Sequence, residues 1–192
     1  MSPRAVSSSR ERMVQAAEAL MREGGLNAAG IKQVVARSHA PIGSLYHHFP
    51  QGKTQLASEA LRLHGEKARA LLVRAFAVER PVAARVRALF STAAVGFDRS
   101  GRYKGCAIGA VTLDLAPADQ ALRAVCQESF EGWVDAIAGH LPWRDHKARR
   151  SFAEMVVTTI EGAFILSRAQ RSGTPFLTAG EWLARAAESY SE

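Results

Sequence analysis

Apolar residues recur every three or four positions along almost the whole chain, and glycine or proline interrupts this pattern at intervals. The spacing places apolar side chains on one face of an α-helix. Ser8 and Glu11 have the spacing of a capping box before the first helix, and Gly24-Gly25 follows its apolar residues as a stop signal. Runs of alternating strands are missing. The sequence therefore predicts an all-α protein of about nine helices.

The breaks separate short helices from longer ones. Ser38-His39-Ala40-Pro41 interrupts the pattern after the second helix, with Pro41 at the first position of a third, and residues 50–52 end that third helix. Longer helices are predicted near residues 53–79, 82–97, 106–115, 118–140, 145–171 and 179–190. We therefore expect an N-terminal domain over residues 8–66 and a C-terminal domain over residues 67–192.

Composition and charge exclude several classes of protein. The chain of 192 residues has a net charge of +7, which permits a polyanionic partner, but the excess of basic residues is spread along the chain. It has no run of about 20 uncharged apolar residues for a membrane helix, and residues 1–20 lack a secretory apolar core. Two cysteines do not make a disulfide scaffold. A cytoplasmic protein without membrane contact is expected.

Motifs for catalysis or metal binding are missing from the sequence. We find no glycine-rich phosphate loop, nucleophile elbow or HExxH motif. His47 and His48 are adjacent, so on a helix they point about 100° apart and chelate poorly together. Cys106 and Cys126 are 20 residues apart without a CxxC pattern. The sequence predicts no enzyme, no catalytic residue, no metal site and no cofactor.

Residues 30–50 have the layout of a helix-turn-helix, in which one helix braces a second that enters the major groove of DNA. Leu45 and Phe49, at positions i and i+4, can anchor the second helix to the core. Small or hydrogen-bonding residues remain for contact with DNA, and these are Gly43, Ser44, Tyr46, His47 and Lys53. The alternative is a pair of packed helices in a helical small-molecule binding protein that does not bind DNA.

Residues 40–53 favour the DNA-binding interpretation, because they resemble the recognition-helix signature of TetR-family transcriptional regulators. The most characteristic part of this signature is Leu45-Tyr46-His47-His48-Phe49. Ala40-Pro41, the segment at residues 49–53 and the glycine and cysteine at Gly105-Cys106 are similar to the LmrA/YxaF-like branch of the family. The resemblance is strong over residues 10–65.

This resemblance implies a homodimeric, ligand-responsive repressor that binds an inverted-repeat operator in double-stranded DNA and is released by a small-molecule inducer. Carried over by position, Lys32 contacts a phosphate or the groove from the bracing helix. Pro41, at the start of the recognition helix, is also a DNA-binding residue. The three residues that face base edges are Ile42, Gly43 and Ser44. Tyr46, His47 and Lys53 contact the DNA backbone. His39 replaces the usual turn glycine, and Gly30 replaces a helix-capping Thr or Ser.

The N-terminal arm carries Arg4, Arg10 and Arg12. These side chains can reach the minor groove or neutralise the DNA backbone. The alternative is a solvated tail followed by a charged helix face.

A ligand pocket is expected between the long helices of the C-terminal domain. Its candidate lining residues are Phe90, Phe97, Cys106, Phe130, Trp133, Phe152, Met155 and Thr159. Periodicity alone assigns the same residues to an ordinary core. Glu128, Glu131 and Glu161 face either a cationic ligand or water.

A two-fold dimer interface is expected on two helices, where apolar stripes include small residues that permit close approach. Its candidate residues are Val156, Ile160, Ala163, Phe164, Trp182, Leu183, Ala186 and Tyr190. An alternative way of receiving the signal is oxidation of a thiol, at Cys106 or Cys126.

Overall fold

The computed structural model describes residues 8–190, and these residues form nine α-helices and no strand. The prediction of an all-α protein is confirmed. The helices are α1 (Ser9–Ala28), α2 (Ile31–Ser38), α3 (Ile42–His48), α4 (Lys53–Phe76), α5 (Val82–Arg99), α6 (Ala107–Asp114), α7 (Gln120–Ala138), α8 (His146–Gln170) and α9 (Thr174–Ser189).

Capping side chains set the start of α1 as the sequence predicted. The backbone N–H of Glu11 donates to Ser8 Oγ at 3.2 Å, and the N–H of Ser8 donates to Glu11 Oε2 at 2.8 Å. This reciprocal pair satisfies backbone donors that have no partner within the helix.

Several predicted helix boundaries differ from those of the structure, and two of these differences occur at prolines. The last helix begins at Thr174 rather than near residue 179, because Pro175 lies in its first turn, where the missing N–H of proline has no helical partner to lose. The proline therefore starts this helix and does not break it. The third helix begins at Ile42, since Pro41 is its extended N-cap residue, with φ −61° and ψ 136°.

The first of two compact units contains the described residues up to His64 together with Ala107–Cys126. Helix α1 packs against α2, α3 and α6. The buried core of this unit includes Met13, Met21, Val34, Leu45, Phe49, Leu56, Leu61 and Ile108. The sequence placed a domain boundary at residues 66–67. That boundary stays a prediction, and the unit seen here also contains α6 because α6 packs on α1.

The second compact unit contains Gly65–Cys106 and the described residues from Gln127 onward. Helix α5 packs against α9, and the two approach so closely that a Cβ atom at Gly180 would lie 2.5 Å from Cβ of Phe90. Buried rings fill the interior, and the ring of Phe176 lies 6.0 Å from Phe97 and 4.9 Å from Phe164. This unit is a conventional packed helical core.

Among the helices of residues 8–190, none is long and apolar enough to cross a membrane. The same residues contain no group of three or more His, Cys, Asp or Glu side chains placed to hold a metal ion.

The two glycines predicted to end α1 instead kink the helix. Gly24 and Gly25 leave helical geometry, with φ 69° at Gly25, and one further turn continues to Ala28. At this kink the backbone N–H of Leu26 donates to Asp114 Oδ2 of α6 at 2.8 Å. A Cβ atom at Gly25 would collide with that carboxylate oxygen. Glycine is required here both by the positive φ and by the approach of α6.

We predict that Gly25→Ala lowers the free energy of unfolding by about 1–3 kcal/mol, because it combines a left-handed conformation with a collision. Thermal or urea unfolding followed by circular dichroism measures this effect. Gly96→Ala is the matched control, since a Cβ atom there meets nothing within 4 Å. The control should be neutral or stabilising by up to about 1 kcal/mol. Equal responses in the two variants would contradict the account of the kink.

Candidate nucleic-acid interface

Helices α2 and α3 form the predicted helix-turn-helix, and the turn between them depends on a left-handed residue. His39 has φ 51° and ψ 33°, a region that histidine tolerates better than most side chains. A residue other than glycine thus adopts a positive φ at this position, which carries a conformational free-energy cost. Gly30 is the N-cap of α2 and makes no side-chain capping bond, as the sequence implied.

Two side chains fix α3 to the core. Leu45 and Phe49 are both fully buried, as their spacing predicted, and the backbone N–H of Phe49 closes the helix on the Leu45 carbonyl at 2.8 Å. The guanidinium of Arg10 lies 5.6 Å from the centre of the Phe49 ring, and it pairs with Glu59 of α4 at 2.7 Å. The buried side of this short helix is thus held from both α1 and α4.

Most of the other residues of α3 face solvent. Ile42 is 57% exposed and Tyr46 is 61% exposed, while Gly43 and His47 are also exposed. A Cβ atom at Gly43 would meet nothing within 4 Å, so no packing among residues 8–190 requires a glycine there. Large exposed apolar and aromatic side chains beside an unexplained helical glycine are typical of a surface that approaches a partner closely.

The remaining predicted DNA-binding residues lie at the edges of α3. Ser44 is half-buried, and its hydroxyl donates to the Pro41 carbonyl at 2.7 Å, which leaves it without a proton for a base edge. Lys32 is exposed in the first turn of α2, and Lys53 is half-buried at the start of α4.

Two arginines of the predicted arm support the fold of the first unit. Arg12 Nε donates to the Ser38 carbonyl, at the end of α2, at 3.1 Å, and Arg10 holds Phe49 and Glu59 as described above. These contacts favour the charged helix face over an arm in the minor groove. Arg4 lies outside the described residues.

Both parts of the chain match models of known protein families. Residues 13–60 match the model for bacterial regulatory proteins of the tetR family. Residues 81–182, more than half of the chain, match the C-terminal domain of LmrA/YxaF-like transcriptional regulators. The chain belongs to the TetR family of transcriptional regulators. It is therefore a DNA-binding regulator and not an enzyme, in agreement with the resemblance carried by residues 40–53.

Individual relatives cover nearly the whole chain. The HTH-type transcriptional regulator YxaF of Bacillus subtilis (strain 168) is 30% identical over 176 residues, which are 90% of this chain and 92% of YxaF. The crystal structure of a TetR regulator from Legionella pneumophila has a TM-score of 0.83 at 20% identity, covering 95% of this chain and 99% of that one. A cysteine mutant of the TetR regulator CifR, bound to 26-base-pair operator DNA, has a TM-score of 0.76 at 17% identity, covering 97% and 99%.

Sequence reasoning missed a buried polar chain in the first unit of this TetR-family protein. His64 Nδ1–H donates to Glu18 Oε1 of α1 at 2.8 Å, and the backbone N–H of Ala107, the first residue of α6, donates to His64 Nε2 at 3.3 Å. The geometry requires the Nδ1–H tautomer of the imidazole. The available signal was the position of Glu18, one turn after the buried Val14. An acidic side chain on an apolar helix face requires a buried partner.

The predicted pocket residues all lie in the second unit, where several of their rings form separate pairs. Phe97 packs against Phe176, and Phe130 lies 5.2 Å from Trp133, whose indole N–H donates to the Gly65 carbonyl at 2.9 Å. Phe152 lies 5.0 Å from Trp143 and 6.1 Å from Tyr190. Phe90 and Cys106 are buried, and Thr159 is half-buried.

Two features of the structure differ from the predicted pocket. Met155 is 54% exposed, so its side chain does not line the interior of the unit. A cleft of about 220 Å³ lies elsewhere, between α5 and α9, and shares only Phe90 with the predicted residues. The cleft is lined by Arg87, Phe90, Ser91, Leu177, Gly180 and Glu181.

The predicted dimer residues divide into buried and exposed groups. Val156, Ala163 and Leu183 are buried within the unit itself, so they do not offer surface to a second chain. Ile160 is half-buried, and Phe164 is half-buried against Phe176. The exposed members are Trp182, at 67% exposure, Ala186 and Tyr190, the last of which also stacks on Trp143 at 4.7 Å.

Neither cysteine is in the environment of a redox sensor. Cys106 and Cys126 are both free and buried. Burial raises the pKa of the Cys126 thiol above its ordinary value, although a hydrogen bond with Thr112 opposes the shift. Reactive sensor cysteines are exposed and have a lowered pKa. These features weigh against the alternative in which a thiol receives the signal.

Among the three acidic residues proposed to face a ligand, Glu161 of α8 is the one whose carboxyl pKa is raised by burial. Burial raises its pKa from 4.5 to about 7, and a hydrogen bond with the Cys106 side chain opposes this shift only in part. The other two acidic candidates, Glu128 and Glu131, are exposed on α7 and face water.

We predict that Glu161→Gln stabilises the protein at pH 8 and has little effect near pH 5. Between pH 4.5 and 7 the folded chain keeps a proton on Glu161 that the unfolded chain has lost, so the free energy of unfolding falls as pH rises through this range. The full cost above pH 7 is about 3 kcal/mol in order of magnitude. Urea unfolding of both proteins at both pH values measures it.

The exposed Glu128 provides the matched control, since Glu128→Gln should leave the pH dependence of stability unchanged. A Glu161→Gln effect of the same size at pH 5 and pH 8 would mean that ionisation of the buried carboxyl is not its cause.

Proposed function

We propose that this chain is a homodimeric repressor that binds an inverted-repeat operator and leaves it when a small molecule binds the second unit. The observation that carries the DNA-binding part is the two-sided character of α3. Leu45 and Phe49 are fully buried, while Ile42 and Tyr46 are exposed next to a glycine with open space. Such a short helix on a bracing helix fits the major groove.

Contacts with the DNA backbone are assigned to Tyr46, His47, Lys53 and Lys32. Tyr46 offers a hydroxyl on the exposed side of α3, and His47 follows it. Lys53 begins α4 just after the turn at Gly52, and Lys32 is exposed on the bracing helix. Neutral donors position a protein on phosphates, whereas cationic side chains also release counterions.

We predict different salt responses for Lys53→Ala and Tyr46→Phe. Both variants should bind duplexes selected by the wild type from a random-sequence pool more weakly. In a dimer, Lys53→Ala removes two cationic phosphate contacts and should reduce the slope of log K against log salt concentration by about 1.8. Tyr46→Phe removes neutral donors and should leave that slope unchanged. Fluorescence anisotropy over a salt series measures both quantities.

Lys147→Ala, which changes an exposed lysine of α8, is the control and should bind the duplex as the wild type does. Wild-type affinity for both test variants would refute the assignment of these residues.

The dimer is supported by an uncharged exposed face on α8. The residues that share this face are Met155, Thr158, Gly162, Ile165, Leu166 and Ala169. Met155, Ile165 and Leu166 are each more than half exposed, and a Cβ atom at Gly162 meets nothing within 4 Å. Trp182 and Ala186 are exposed on α9, which packs against α8. A large apolar face without charge is typical of a subunit interface.

We predict that Ile165→Asp and Trp182→Asp dissociate the dimer. Each change places two like charges across a two-fold interface, which should raise the dimer dissociation constant by about a hundredfold or more. Sedimentation velocity should show the wild type at twice the 20.7 kDa of one chain and the variants near that single mass.

Val95→Asp is the control, because Val95 is also exposed and apolar but lies on α5. Substitution of Phe164 is unsuitable, since its packing against Phe176 would confuse folding with association. Variants that remain dimeric, or a wild type that is monomeric at micromolar concentration, would refute this interface.

Release by a small molecule requires coupling between ligand binding and DNA binding. A tenfold loss of operator affinity needs a coupling free energy of about 1.4 kcal/mol. Helix α4 is the proposed connection, because Lys53 begins it in the first unit and it continues without interruption to Phe76 in the second. The paired rings of the predicted pocket must separate to admit a ligand, because aromatic pairs such as Phe130–Trp133 are already in contact.

A further inference from the structure

We infer that Ile42 determines part of the operator sequence by packing on the C5-methyl group of a thymine in each half-site. This inference rests on the proposed function, since it assigns a base preference to the same recognition helix. It concerns the first turn of α3, where the helix has its N-terminal end.

No contact in the described part of the chain accounts for the exposure of Ile42. Ile42 is the first residue of α3, and 57% of its surface is exposed although the side chain is a branched aliphatic one. Gly43 follows it, and the space where a Cβ atom would stand is open. The apolar side chain of Ile42 therefore lies next to open space that no other described residue fills.

The first turn of α3 has no side-chain proton to donate to a base. Ser44 already gives its hydroxyl proton to the Pro41 carbonyl at 2.7 Å. Pro41 has no backbone N–H, and Gly43 has no side chain. Donation to the N7 and O6 acceptors of guanine is thus not possible from the side chains of this turn, and the large exposed side chain there, Ile42, makes only apolar contact.

Thymine is the natural base whose major-groove edge carries an apolar group, the C5-methyl. Packing Ile42 on that methyl group buries apolar surface on both partners. Packing it on the amino group of cytosine or adenine instead would remove water from a donor without replacing its hydrogen bond. The N7 and O6 acceptors of guanine would likewise lose water without gaining a hydrogen bond, so the same contact favours thymine over the other three bases.

The expected effect of one methyl group is modest and measurable. Burial of one carbon group of this size contributes about 0.8 kcal/mol, which corresponds to about a fourfold change in affinity for each thymine. Replacing thymine by deoxyuridine removes this methyl group and leaves the hydrogen-bonding groups of the base unchanged.

The experiment begins with duplexes that the full-length protein selects from a random-sequence pool. Each thymine of the selected site is replaced in turn by deoxyuridine, and the affinities of the wild type and Ile42→Ala are measured by fluorescence anisotropy. Leu113→Ala is the matched control, because Leu113 has the most exposed large apolar side chain among residues 8–190 but lies on α6.

The inference predicts one thymine per half-site whose replacement weakens wild-type binding about fourfold, with the same loss in Leu113→Ala and almost none in Ile42→Ala. A cytosine placed there should bind better when it carries a 5-methyl group, and only if Ile42 is present.

Specific binding without a methyl effect at any thymine would overturn the inference, as would a methyl effect that persists in Ile42→Ala. Selected sites without a constant thymine would overturn it as well. A wild type that selects no sequence from the pool would instead refute the proposed function itself, so the two failures are distinguishable.

Discussion

Burial of Leu45 and Phe49 is the constraint on which the rest of the candidate DNA-binding surface depends. Helix α3 has only seven residues, far fewer than an isolated helix needs in water, so its structure must come from packing. Each of these side chains contributes about 1.5–3 kcal/mol when fully buried. Their burial fixes the rotation of the helix, and in this orientation Ile42, Gly43 and Tyr46 remain exposed.

Polar contacts then hold the ends of this arrangement. Arg12 satisfies the Ser38 carbonyl at the end of α2, and Arg10 joins the Phe49 ring to Glu59 of α4. The Arg12 guanidinium binds a carbonyl at the end of a helix, and the Arg10 guanidinium lies over the face of an aromatic ring. The same unit contains α6, whose two ends bond to His64 and to the backbone at the α1 kink. The recognition helix is therefore supported by distant parts of the chain.

Local sequence patterns predicted the helix count, the capping box at Ser8 and the anchoring pair in α3, because each depends on residues a few positions apart. The left-handed turn at His39 could be foreseen only through the family resemblance. Contacts between distant residues could not be predicted, among them the pairing of Glu18 with His64 and the collision that requires Gly25. The apolar stripe of α8 was recognised, but periodicity does not tell which flank is covered, so Val156 and Ala163 proved buried while Ile165 and Leu166 are exposed.

The exposed surface of α3, formed by Ile42, Gly43, Tyr46 and His47, serves an external partner and not the fold. Gly43→Ala tests this role most directly, because the added methyl group contacts no other atom of the described residues. Unfolding and DNA binding should be measured on the same preparation, with a duplex selected by the wild type. We predict that the free energy of unfolding stays constant or rises by up to about 1 kcal/mol, while DNA affinity falls about tenfold through overpacking at the interface. Unchanged DNA affinity, or a loss of stability that accounts for the loss of binding, would contradict the claim.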